Sequence, residues 1–173
     1  GSLAPDGTYT STLDAVLPPV KEGQYRLVVR PDIFNEVYEG PNEANNFSAS
    51  PDVLNITVPE LRLGVVLDTT LETGVSQVYR VRVEGNETLR LSLTTPERDA
   101  ANEIFVRYGD VPSAFEFAAT FQNPLQANQT ALIPTTQAGD YYVLVRAQSS
   151  PTQSFAATLK AETLPFQITD VTP

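Results

Sequence analysis

Alternation with a period of two constrains this chain most. In residues 75–83, Tyr79, Val81 and Val83 occupy one set of alternate positions and Arg80 and Arg82 the other. In residues 89–93, Leu89, Leu91 and Leu93 alternate with Arg90 and Ser92. Successive side chains of a β-strand point to opposite faces, so each run reads as a strand with one buried side. Gly85-Asn86-Glu87 between the two predicts a hairpin connection. A repeated phrase carries the pattern further: Gly23-Gln-Tyr-Arg-Leu-Val-Val-Arg30 returns as Gly139-Asp-Tyr-Tyr-Val-Leu-Val-Arg146. A glycine that permits a turn, followed by aromatic and branched residues, is a strand-entry signal. Its presence in both halves predicts two β-modules of similar build.

Other strands are expected at 13–17, ahead of Pro18-Pro19, at 25–29, ahead of Pro31, and at 53–58, where Leu54, Ile56 and Val58 alternate with more polar neighbours. Residues 59–64 read as a connection, with 61–64 as the linker proper. Beyond it, strands are expected at 104–108, 130–133, 141–145 and 155–159, with a looser one at 115–121 and a single helical turn at 97–103. The 14 prolines and 9 glycines are scattered as punctuation, which suits short strands joined by turns. The fold class is therefore all-β, in two β-sandwich modules: 1–60, incomplete, and 65–162. Residues 163–173 read as the start of a following module or as a tail.

Composition excludes more than it assigns. The chain has no cysteine and no histidine. Disulfides, thiol chemistry and a structural zinc site are ruled out with them, and so is the commonest general base. Nucleophilic catalysis needs an activated group beside a base, and only carboxylates and the lysines Lys21 and Lys160 remain. No pair of acids stands out among the 21 present, so the chain is not expected to be an enzyme. A net charge of −10 repels nucleic-acid phosphates and anionic lipid, and no apolar run approaches the ~18 residues of a membrane span. Neither a nucleic-acid partner nor membrane insertion is expected. The acidity suits a secreted protein or one that binds a hard cation.

The second half resembles the bacterial pre-peptidase C-terminal domain, a jelly-roll-like β-sandwich. The resemblance rests on Gln77-Val-Tyr-Arg-Val-Arg-Val83 with Leu89-Arg-Leu-Ser-Leu93, on Glu103-Ile-Phe-Val-Arg-Tyr-Gly-Asp-Val-Pro112, and on Ala138-Gly-Asp-Tyr-Tyr-Val-Leu-Val145, covering residues 65–161. Glu103 stands where that family carries aspartate. Residues 8–58 are similar to the C-terminal half of a cell-adhesion-related immunoglobulin-like domain of the CARDB type, through Gly23-Gln-Tyr-Arg-Leu-Val-Val-Arg-Pro-Asp32, Asn35-Glu-Val-Tyr-Glu39 and Asn42-Glu-Ala-Asn-Asn46. Both resemblances imply repeat-rich, secreted or surface-anchored bacterial proteins. In these, such modules act as spacers, adhesion units or substrate-binding appendages. Their partners are neighbouring domains of the same chain, a polysaccharide or an extracellular matrix protein.

Several candidate sites follow from the residues themselves. Residues 32–46 gather Asp32, Glu36, Glu39 and Glu43 with the amides Asn42 and Asn45. Calcium takes six to eight such oxygens from a flexible loop, though the spacing is not that of an EF-hand and the same residues also cap turns. Asp99, Asn102, Glu103 and Asp110 form a weaker cluster. Tyr108, Phe115 and Phe117, around the turn at 109–112, are candidates for stacking on sugar rings, against the alternative of edge packing. Arg80, Arg82 and Arg90 are expected to pair with acids across the strands. A lysine–asparagine cross-link through a buried Lys160 is a further candidate.

Overall fold

A computed structural model of the chain describes residues 10–31, 33, 34, 36 and 47–165. The described residues form β-strands and connections only, as the alternations require. Four short strands come first: β1 (Gly23–Tyr25), β2 (Val28–Val29), β3 (Ser48–Ala49) and β4 (Leu54–Ile56). They pair antiparallel as β1–β4 and β2–β3. Eight more follow: β5 (Val66–Glu72), β6 (Ser76–Val83), β7 (Thr88–Thr94), β8 (Ala101–Tyr108), β9 (Ala119–Thr120), β10 (Gln129–Ile133), β11 (Gly139–Ser149) and β12 (Ser154–Leu164). They form two antiparallel four-stranded sheets, ordered β10-β7-β12-β5 and β6-β11-β8-β9.

The core lies between these sheets. Leu89, Leu91 and Leu93 of β7 and Leu159 of β12 meet Val81 of β6, Ile104 and Val106 of β8, and Val143 and Val145 of β11, all fully buried. The alternations of β6 and β7 thus place their apolar sets inward. Their polar sets face outward, where Arg82 lies opposite Asp140 and Arg90 opposite Glu162. Arg82 Nη1 is 3.7 Å from Asp140, and Arg90 Nε donates to Glu162 Oε1 at 2.8 Å.

The hairpin expected between β6 and β7 is not formed. Those strands belong to opposite sheets, and 85–87 carries the chain across the end of the sandwich. It interlocks there with the β10–β11 connection. Asn86 N and Glu87 N donate to Thr136 O and Thr136 Oγ1, Thr136 N donates to Glu87 O, and Thr136 Oγ1 donates to Glu84 O. Gly85 fits because a Cβ there would lie 3.2 Å from Ala138 N. The alternation fixed which face is buried; it carried no record of which sheet each strand joins.

Other local expectations are revised. Residues 13–17 form no strand, and Leu13, Val16 and Leu17 are exposed beside Pro18-Pro19. The strand expected at 25–29 is split, because Arg26 turns its guanidinium onto the carbonyls of Ser50 and Pro51 (2.8 Å each) and the halves pair with different strands. The helical turn expected over 97–103 is shorter, a single turn over 97–100 closed by Ala100 N to Glu97 O at 3.4 Å, after which β8 begins. Residues 115–121 contribute only β9. Residues 61–64, read as linker, are stitched into the sandwich. Leu61 is 1% exposed in the core, its N–H donates to Arg80 O at 2.7 Å, and Gly64 N–H donates to Ala161 O at 2.7 Å.

Candidate functional site

The outer face of the β6-β11-β8 sheet is where the rest of the chain gathers. Register sets its side chains in rows. Arg80, Tyr142 and Arg107 form one, Val78, Leu144 and Phe105 the next, and Ser76, Arg146 and Glu103 a third. An outer face would ordinarily be polar and wet, yet Tyr142, Leu144 and Phe105 are buried. Something covers them. Over Phe105 lie the rings of Phe117 and Phe121, with centroids 5.7 and 5.6 Å away. Over Tyr142 lies the segment just before β1.

That segment is fastened by Lys21 and Glu22. Tyr142 Oη lies 3.0 Å from both Glu22 carboxylate oxygens and donates to the carboxylate. Arg80 Nη1 donates to Glu22 Oε1 at 3.1 Å. Lys21 Nζ sits 5.3 Å from the centre of the Tyr142 ring and donates to Gly109 O at 2.7 Å. Burial pushes the Glu22 carboxyl up, but a backbone N–H, the Tyr142 hydroxyl and the Arg80 charge outweigh it. The group ionises below its ordinary range. Tyr142 moves the other way: burial, and the carboxylate that accepts its proton, push it up to about 12.

Arg80 joins both ends of the N-terminal ribbon to the sandwich. Its side chain holds Glu22, at the entry to β1. Its backbone N–H donates to Pro59 O (2.9 Å) and its carbonyl accepts from Leu61 N–H (2.7 Å), just beyond β4. Since β1 pairs with β4, the ribbon is closed on itself and anchored at one place on β6.

The expected aromatic residues are distributed around this junction. Tyr108 packs edge-to-face with Tyr141 (5.1 Å) and donates to Ala138 O at 3.0 Å, which fixes the ring in place. Phe117 packs on Phe105. Phe115 alone of the three stands free, 95% exposed, on a turn built for it. Ser113 Oγ accepts from Phe115 N and Glu116 N, Ser113 N donates to Glu116 O, and Arg107 Nη1 donates to Glu116 Oε2 at 2.8 Å.

Of the expected calcium ligands, Glu36 is exposed, while Asp32, Glu39, Asn42, Glu43 and Asn45 lie outside the described residues. Among the described residues, no three acids converge as metal ligands. Asp99, Asn102, Glu103 and Asp110 are not gathered: Glu103 pairs with Arg146, Asp110 lies 3.9 Å from Arg107, and Asn102 serves a loop at the far end. Lys160 is partly exposed and bound to Glu162 at 2.7 Å, which removes it as a buried cross-linking lysine. Glu22 and Tyr142 were not among the expected site residues. The available signal was Tyr142 itself, an aromatic at an outward position directly after the inward Tyr141.

No protein-family model and no curated protein matches the sequence. Among solved structures the chain is similar to the pre-peptidase C-terminal domain of a collagenase from Bacillus anthracis, at 15% identity and TM-score 0.49, over 60% of this chain and 93% of that one. It is similar to the periplasmic inhibitor of g-type lysozyme PliG from Aeromonas hydrophila, at 11% identity and TM-score 0.46, over 62% of this chain and 97% of that one. A β-1,3-glucan-binding CBM6 from Bacillus halodurans follows at 12% identity and TM-score 0.34, over 61% and 98%. Likenesses this distant assign no role to any residue.

Proposed function

We propose that the chain is a non-catalytic module of a secreted or cell-surface bacterial protein, whose β-sandwich spaces or presents neighbouring domains. The observation that carries this reading is the fastening of the N-terminal ribbon through Arg80, Glu22, Tyr142 and Lys21. A flexible tether would need none of these contacts. A spacer needs them, because they fix the angle at which one module leaves the next. The two-residue and three-residue strands of the ribbon are too short to hold an orientation alone. Backbone amide relaxation by NMR tests it. In the wild-type chain, amides at 23–29 and 54–56 should tumble with the sandwich; in Glu22→Ala they should tumble faster. Faster local tumbling already in the wild type would defeat the spacer reading.

The second reading is a binding appendage for a matrix protein or polysaccharide, and Phe115 favours it. An aromatic ring presented to solvent on a hydrogen-bonded turn contacts a partner without first being ordered. Calcium belongs to the first reading. Bound by Asp32, Glu36, Glu39, Asn42, Glu43 and Asn45, it would stiffen the ribbon. A cation that binds only the folded chain adds about 2.7 kcal/mol at a hundredfold excess over its Kd. Equal thermal midpoints in calcium and in EDTA would remove it.

A further inference from the structure

The end of the sandwich at the β7–β8 and β9–β10 connections holds an open depression of about 700 Å³, lined by Thr95, Arg98, Gln122, Asn123, Gln126 and Asn128 among others. Its wall is the loop 123–128, which is held with unusual thoroughness. Only four polar residues are buried among those described, and two of them serve this loop. Asn102, 1% exposed, donates through Nδ2 to Ala127 O at 2.7 Å and through its backbone N–H to Gln126 O at 3.1 Å. Gln129, 2% exposed, donates through Nε2 to Asn123 O (2.5 Å) and Gln126 O (2.8 Å), and its Oε1 accepts from Asn123 N–H. Asn128 Oδ1 accepts from Thr95 N–H at 2.9 Å, tying the loop to the opposite wall. Leu125 is held at φ 61°, one of two non-glycine residues at positive φ among those described.

Burying amides is costly, and a left-handed leucine is strained. A connection that only had to join β9 to β10 would carry neither. What the arrangement maintains is shape, and with it the outward side chains. Gln122, Asn123, Gln126 and Arg98 are exposed, with no hydrogen bond from their side chains to another described residue. Amides offer donors and acceptors side by side, and the guanidinium offers a fork of donors. Paired donors and acceptors in one plane match vicinal hydroxyl groups. Glu97 and Asp99 flank Arg98, and the whole chain carries −10, so an anionic ligand is disfavoured. Pro124 adds exposed apolar surface to the same wall, as the C–H face of a sugar ring requires. The geometry points to a binding site for a neutral saccharide at this end of the sandwich. It is separate from the ribbon junction.

The test is titration of the full chain with cellohexaose, laminarihexaose, mannohexaose and trigalacturonate, read by amide chemical shifts. At least one neutral hexaose should shift the amides of 95–98 and 122–128. Arg98→Ala and Gln126→Ala should each weaken that binding about tenfold, the loss expected for one charged or well-placed hydrogen bond. Both side chains are exposed, so unchanged thermal midpoints will show the fold intact. The proposal is overturned if none of the neutral hexaoses shifts those amides, if only trigalacturonate does, or if the two variants bind as the wild type does.

Discussion

At the scale of single residues, Glu22 and Gly139 each make a clear demand on their surroundings. The Glu22 carboxyl ionises lower in the folded chain than in the unfolded one. Its contribution is therefore complete above the ordinary carboxylate range and is lost as pH falls through its folded value. Glu22→Gln should cost about 1 kcal/mol at neutral pH, a charged hydrogen-bond contribution discounted for partial exposure, and should flatten the acid limb of the stability profile. Denaturant melts between neutral and acid pH will show this; parallel profiles would mean the clamp adds nothing. Tyr142 has the opposite sign. Its stabilisation is complete below the ordinary tyrosine range and is lost as pH rises through about 12. Burial raises Tyr79 as well, so an ultraviolet titration should find two tyrosines ionising late, and Tyr142→Phe should remove one of the two steps. Gly139 sits at φ 138°, and a Cβ there would lie 3.0 Å from Tyr108 Oη. Gly139→Ala should cost about 1–3 kcal/mol and should break the Tyr108–Ala138 bond; a calorimetric midpoint equal to wild type would show that Tyr108 moves aside freely.

At the scale of elements, what the sequence revealed depended on how local the cause was. The inward faces of β6 and β7 were legible because burial acts residue by residue along a strand, and Val81, Leu89, Leu91 and Leu93 all lie inward. The arginine pairs were legible for Arg82 and Arg90, since cross-strand neighbours follow from the same alternation. Partner choice was not legible. The two copies of the repeated phrase share Gly at the first position and Tyr at the third, yet one becomes the 11-residue centre of a sheet and the other breaks into β1 and β2. Position 26 carries Arg where position 142 carries Tyr, and Arg26 is drawn off to the carbonyls of Ser50 and Pro51. Nothing in 23–30 encodes that those carbonyls are near. The junction was hidden for the same reason, because Glu22 and Tyr142 are 120 residues apart. The crossing at 85–87 was misread as a hairpin because its lock, Thr136, lies far along the chain. Thr136→Val keeps the shape and removes the hydroxyl, leaving Glu87 N–H and Glu84 C=O without it. The expected cost is about 1–3 kcal/mol in a denaturant melt; a loss of a few tenths would mean that backbone bonds alone hold the two crossings together.

At the scale of the whole molecule, the chain has two grades of order. The sandwich encloses an apolar core, and its strands β7, β11 and β12 are paired on both sides. The ribbon is different. Val28, Val29 and Leu27 are exposed, and its pairings involve two or three residues each. A two-stranded ribbon is marginal in water, so its order is borrowed through the contacts at Arg80. Hydrogen exchange should therefore separate the two. Amides of β7 and β11 should exchange only by global unfolding, and amides of β1 and β4 by a smaller, local opening. Arg80→Ala removes the guanidinium that holds Glu22 but leaves the backbone bonds to Pro59 and Leu61. It should accelerate exchange in β1 and β4 and leave β7 and β11 unchanged, apart from any shift in global stability. Equal protection of ribbon and sandwich in the wild type would show a single cooperative unit, with the order of the ribbon then carried by more than the clamp.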